Sequence, residues 1–155
     1  MTFGNTMRQK ASKLQISELE TRIADLDAVS TATVSLTSAQ VLALNTTPIE
    51  LVPAPWAWKY INVLSVVGTV DYNSAAYATN VTLEFRYTNG AWTKVTADIA
   101  ALLDATADKA VGVKGIEAAT VLTANAPVVV TVATGNPATG NSPVKFHVVY
   151  EVITL

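Results

Sequence analysis

Tyr60 to Tyr72 reads YINVLSVVGTVDY, thirteen residues in which Ile61, Val63, Leu64, Val66, Val67 and Val70 are interrupted by no proline and by one charge, Asp71. The run is too short to span a bilayer and too β-branched to favour a helix, so it predicts one long buried strand. Its two side-chain series are both apolar by simple alternation: Ile61, Val63 and Val67 on one, Leu64, Val66 and Val70 on the other. A strand apolar on both faces must be covered on both. One face can meet the opposing sheet of the same subunit, and the other then needs a further layer or a second subunit. Each aliphatic side chain fully buried there would contribute about 1.5–3 kcal/mol, enough for this segment to anchor a sheet.

Working outward, Trp56-Ala57-Trp58-Lys59 leads into this strand, behind Pro53-Ala54-Pro55, which cannot continue a central strand. Pro48 to Val52 reads as a strand, and Thr37-Ser38-Ala39-Gln40 as a helix cap opening a turn through about Leu44. Thr33 to Leu36 is the first strand. Downstream, Val81, Leu83, Phe85 and Tyr87 alternate with polar residues, and Asn89-Gly90 supplies a tight hairpin returning through Trp92 to Val95. Asp98, Ile99, Leu102 and Leu103 carry helical spacing, so a helical insertion followed by loop is expected through Gly115. Strands are expected at Ala119–Leu122, Val128–Ala133 and Val144–Val152, with Gly135 to Pro143 a long exposed turn. About eight short strands without regular βα alternation predict a mainly β domain over 31–155, an antiparallel jelly-roll-like sandwich.

The first 30 residues have a different character. Residues 1–11 carry Arg8 and Lys10 among small polar residues and read as a flexible basic arm. Ser12 and Gln15 form a capping box, after which Ile16, Leu19, Ile23 and Leu26 recur at spacings of three, four and three. These residues predict a helix over 13–28, within a segment 12–30 that serves as helix and linker. A lone helix of this length is marginal in water, so its stripe must be buried, either on its own domain or against copies of itself. The a and d positions of two heptads favour self-association, with the stoichiometry left open.

Composition narrows the function further. The chain has 155 residues, half of them hydrophobic and only 14% charged, with a net charge of −2 and no cysteine. No clustered basic field is present to displace counterions from a nucleic acid, so direct nucleic-acid binding is not expected. Without cysteine there is neither a disulfide framework nor a thiolate metal site. No secretory core and no run of eighteen apolar residues occurs, so a soluble product without a membrane partner is expected.

Catalytic signals are scarce. His147 is the one histidine, and no nucleophile elbow accompanies it. Asp98, Asp104 and Asp108 lack the glycine turn and closing glutamate of a calcium loop, and read as a solvated face. Gly112-Val113-Lys114-Gly115 is too short for a phosphate loop. No cofactor is expected and no enzymatic role. The aromatic pair Trp56 and Trp58 would point to one side if extended, which suits a subunit contact or, as a second reading, a glycan surface shared with the 135–143 loop.

Thr37 to Gly90 resembles small virion proteins of tailed bacteriophages, of the minor structural, head-fibre or capsid-decoration kind. The resemblance lies in TSAQVLALNTTPIELVPAP, the long apolar strand that follows, and DYNSAAYATN before LEFRY. It covers about a third of the chain, is a fold signature rather than a catalytic motif, and departs from the family pattern at Trp56 and Trp58, where glycine is usual. It implies a compact β domain in the virion, a homotrimer, with an N-terminal element fastening it to the major capsid protein. Arg8 and Lys10 would then attach, Ile16, Leu19, Ile23 and Leu26 would oligomerise, and Trp56 and Trp58 would meet a neighbouring subunit. The alternative is a tail component that binds a host receptor or surface glycan.

Overall fold

A computed structural model describes residues 13–19, 29–88, 92–115 and 121–154. Arg8, Lys10, Ile23 and Leu26 lie outside these residues. A short helix, α1 (13–19), comes first. It is followed by β1 (Val29–Leu36), α2 (Ser38–Val41), β2 (Ile49–Val52), β3 (Lys59–Val70), β4 (Leu83–Tyr87), β5 (Lys109–Lys114), β6 (Val128–Val132) and β7 (Val144–Thr154). The strands form two antiparallel sheets, one ordered β1-β7-β3-β5 and the other β2-β6-β4. This is a β sandwich.

The core lies between the sheets. Leu36, Ile61, Val63, Val66, Val70, Val144, Phe146 and Val148 face Leu83, Phe85, Tyr87, Val128, Val130 and Val132, all buried. Phe85 and Phe146 meet edge to face across the gap, their centroids 5.7 Å apart, a favourable quadrupole geometry. The Tyr87 hydroxyl donates to the Ile61 carbonyl and so ties β4 to β3. Gly68 is small for a packing reason: a Cβ there would lie 2.6 Å from Leu102 Cδ2.

β3 is the predicted central strand, but most of its apolar residues from the two series end on one face. A bulge between Val63 and Ser65 inserts Leu64 as an extra residue opposite β7. The bulge shifts the side-chain parity by one, so Val66 and Val70 join Ile61 and Val63 on the core side. The outer face is left with Tyr60, Asn62, Ser65, Val67 and Thr69, of which Val67 is 38% exposed. The strand covered on both sides is instead β6, all five of whose residues are buried. Thr131 points away from the core, and its hydroxyl donates to the Leu44 carbonyl at 3.0 Å, in the connection after α2.

Other expectations are corrected in the same physical terms. The helix expected from Asp98 does not form, because Ile99 N–H and C=O bond to Leu83 O and N–H at 3.0 and 2.9 Å while Leu102 and Leu103 fill the core. Tertiary burial overrides a local preference. What was expected to be loop before Gly115 contains β5. Asn89 and Gly90, the expected hairpin turn, lie outside the described residues. The return expected over Trp92 to Val95 is not a regular strand: Lys94 and Ile99 make isolated bridges to Arg86 and Leu83 on the free side of β4, and Thr96 crosses to bridge Gly115. Val121 and Leu122, the described part of the strand expected at 119–122, belong to no ladder. The predicted cap at Thr37 is present, with Gln40 N–H donating to Thr37 Oγ1 and Thr37 N–H to Gln40 Oε1.

Candidate interaction surfaces

Three parts of the surface carry uncovered apolar groups. The first is α1, where Leu14, Ile16 and Leu19 are 71%, 53% and 56% exposed. Every residue of 13–19 is exposed, so this turn of helix does not pack on the described sandwich.

The second is the turn Trp56 to Lys59. Lys59 N–H closes it onto the Trp56 carbonyl at 3.1 Å, and Trp58, its third residue, sits at φ 66°. A positive φ at that position alone is the type II signature, which glycine satisfies without strain and tryptophan does not. The two indoles are 86% and 78% exposed. They are thus held out at a backbone cost of about 1–3 kcal/mol with no compensating burial in the described chain. Trp92, at φ 54° and 44% exposed, is the third surface tryptophan, so none serves the core.

The third is the outer face of the four-stranded sheet, where Val29 and Val67 are exposed. One row across it reads Gly112, Val67, His147 and Thr33. His147 is exposed, with Nδ1 3.0 Å from Thr33 Oγ1. It is a surface histidine bonded across two strands, and among the described residues no carboxylate pairs with it to complete a triad.

The charged groups form a structural cluster. Glu84, 5% exposed, receives Lys94 Nζ on Oε1 at 2.8 Å and Arg86 Nη2 on Oε2 at 2.7 Å, and Lys94 also bonds Asp98 at 2.7 Å. Burial alone would push the Glu84 carboxyl up, but the hydrogen bonds and charges of Lys94 and Arg86 together outweigh it and hold the group below its ordinary range. Lys94 is held above its ordinary value, first by the Asp98 hydrogen bond and then by Glu84. Arg86 Nη1 further donates to the Trp92 carbonyl at 2.5 Å, so the cluster staples residues 92–98 to β4. An open depression of about 560 Å³ lies beside it, between Lys94–Asp98 and Val113–Gly115. Burial pushes the Tyr77 and Tyr87 hydroxyls to about 12, and each donates to a backbone carbonyl.

Among the described residues no group of three or more histidine, aspartate or glutamate side chains could hold a metal. Asp98 is paired with Lys94, and Asp108 Oδ1 accepts from Tyr72 N–H at 2.8 Å. No described helix is long and apolar enough to cross a membrane. Sequence reasoning found α1 and Trp56–Trp58, and missed the Glu84 cluster, whose signal was a charged pair placed two apart on a strand facing a lysine past the hairpin.

The 135–143 segment is not a free loop. Asn136 Oδ1 accepts from Asn45 and Thr46 N–H, and Asn141 Oδ1 from Ser74 and Ala75 N–H. Pro137 and Ser142 are buried, and Ala138 bridges Ala78.

No protein-family model and no curated protein matches the chain. Solved structures resemble it. A chain of the cyanophage Pam1 capsid asymmetric unit aligns with a TM-score of 0.50 at 21% identity, covering 79% of this chain and 82% of that one. A chain from the acid-stable capsid of Helicobacter pylori bacteriophage KHP30 follows at 0.47 and 21%, covering 81% and 91%. One from the capsid of Ralstonia phage GP4 stands at 0.43 and 19%, covering 79% and 83%. At 21% identity and a TM-score of 0.50, the likeness to the Pam1 chain is one of fold alone.

Proposed function

We propose that this chain is a non-enzymatic structural protein of a bacteriophage particle, a capsid-decoration or head-fibre component. Its N-terminal segment fastens it to the major capsid protein, and its sandwich projects as a homo-oligomer, with a trimer as the stoichiometry. The observation that carries the reading is the contrast between a core satisfied within one copy and large apolar groups left outside it: Leu14, Ile16 and Leu19 on α1, Trp56 and Trp58 on their turn. Among the described residues no buried side-chain polar atom lacks a partner, so the core of one copy leaves no polar group to be satisfied by another chain. The exposed groups therefore suit contacts with other chains.

The strand orders β1-β7-β3-β5 and β2-β6-β4 support the jelly-roll reading, with residues 94–99 in the place of an eighth strand beside β4. The resemblance of Thr37–Gly90 to phage virion proteins and the fold shared with the Pam1 capsid chain support the viral context. Arg8 and Lys10 supply attachment, Ile16, Leu19, Ile23 and Leu26 self-association, and Trp56 and Trp58 a neighbouring subunit. Several weak anchors joined through one oligomer bind with raised effective concentration.

Deleting residues 1–28 should abolish incorporation into particles while the sandwich keeps its β circular dichroism. Truncated protein that still decorates particles would overturn the anchoring. The exposure of Trp56 and Trp58 also supports the second reading, a glycan- or receptor-binding tail component. Glycan-array binding lost in W56A and W58A would favour it.

A further inference from the structure

The two sheets have four lateral edges, and a bare edge strand is a template for pairing with another chain. Three of the four are guarded. β2 is flanked by Pro48 and Pro53 and carries exposed Glu50. β4 is covered by the bridges from Lys94 and Ile99. β5 begins and ends on Lys109 and Lys114, and Thr96 crosses onto Gly115 beside it. β1 is the exception: VSTATVSL has eight residues, no charge and no proline, and keeps an unbroken register with β7. Among the described residues its ladder runs to β7 alone.

We propose that β1 is a pairing edge and that its occupant is β1 of a second copy, running antiparallel about a two-fold centred on Ala32. The sequence is symmetric about that residue over Thr31-Ala32-Thr33, and beyond it Ser30 is set against Val34 and Val29 against Ser35, all small or β-branched and uncharged. The pairing places Thr31 opposite Thr33 of the second copy, twice, on the outer face, where threonine pairs are favourable. Ser30 and Val34 meet on the core side. The centre must be a residue opposite itself, because only then do both outer faces stay on one side of the extended sheet. Residues 29–35 overlap along roughly 24 Å at the rise of an antiparallel strand. With no charge on the strand, no like charges oppose across the axis, and no unlike partner is selected by charge. A self-complementary patch of this kind closes as a dimer.

Each copy has one such edge, so the contact joins copies in pairs. It does not rest on the virion reading. If α1 also gathers copies into a trimer, β1 links one trimer to the next.

The full chain contains no cysteine, which makes thiol cross-linking specific. In the double variant T31C/T33C, mild oxidation should give a covalent dimer whose tryptic disulfide joins position 31 of one copy to position 33 of the other, since cross-strand Cβ separations approach those of a disulfide. T31C and T33C alone should cross-link at least about 10-fold more slowly. No dimer from the double variant, or equal rates from either single one, overturns the proposal. Without any thiol, T31K places a charge on the edge and should weaken self-association at least about 10-fold in sedimentation velocity. Association unchanged in T31K overturns it as well.

Discussion

Residues 53–58 and 135–143 have the same kind of composition, rich in proline and small or polar residues, and both were candidates for a surface that reads a partner. They behave in opposite ways. In 135–143 two asparagine side chains each accept from two backbone N–H groups of other connections, and Tyr77 bonds the Ser142 carbonyl at 2.6 Å. In 53–58 the one turn bond at Lys59 holds out two bare indoles on a strained backbone. Side-chain amides aimed inward make a clamp, whereas large apolar rings with nothing beneath them make a contact surface. The 135–143 segment is thus tied into the architecture, and of the two segments the tryptophan turn is the one that holds out apolar rings.

The largest effect expected from this contrast is at Gly140. It sits at φ 87°, and a Cβ there would overlap the Tyr77 ring. G140A should cost more than about 3 kcal/mol, combining left-handed strain with a steric conflict in the core. Thermal unfolding should fall by roughly 6–12 °C for a domain of this size. A loss under 1 °C would mean that the segment is loose after all. Next comes N141A, which strips the acceptor from Ser74 and Ala75 N–H and should cost about 1–3 kcal/mol in urea unfolding. An equal loss from alanine at Pro53 would erase the distinction between the two loops.

The opposite sign is expected at Trp58. W58G puts glycine at a positive φ and removes no buried contact, so the isolated domain should gain about 1 kcal/mol or lose nothing. The same substitution should weaken assembly. A clear loss of stability in W58G would show that the ring is packed in solution, and the contact reading of the turn would fail.

Much of this fold was legible because its signals were local. Alternation in Leu83 to Tyr87 and in Val144 to Tyr150, the capping box at Thr37 and the apolar run of β3 all act within a few residues. What could not be read depended on distant partners. Leu64 is an ordinary strand residue in sequence, and only its place opposite β7 makes it a bulge that turns Val66 and Val70 inward. Ile99 to Leu103 has helical spacing, yet Leu83 claims its backbone and Gly68 leaves room for Leu102. Asn136 and Asn141 are common loop residues, and their targets lie 66 to 91 positions away. For the candidate surfaces, the tryptophans and the α1 stripe were visible as residue types, while the lack of a second ladder on β1 among the described residues emerged only once the other three edges were placed.

Trp92 lies between the two extremes, an exposed ring on a segment tied by charge, and it offers the smallest and most selective test. Glu84 is the hub of that tie, and its carboxyl is held below the ordinary value near 4.5. A depressed folded-state pKa means that its contribution is fully present above the unfolded value and is lost as pH falls through the folded one. Stability should therefore decline below about pH 4.5 in a Glu84-dependent way, and E84Q should flatten that part of the profile while lowering stability at neutral pH. In a W56F/W58F background, Trp92 fluorescence should shift to the red as acid releases residues 92–98, and the shift should precede global unfolding. A coincident transition would place this staple in the cooperative core, leaving the Trp56–Trp58 turn as the one aromatic group presented independently of it.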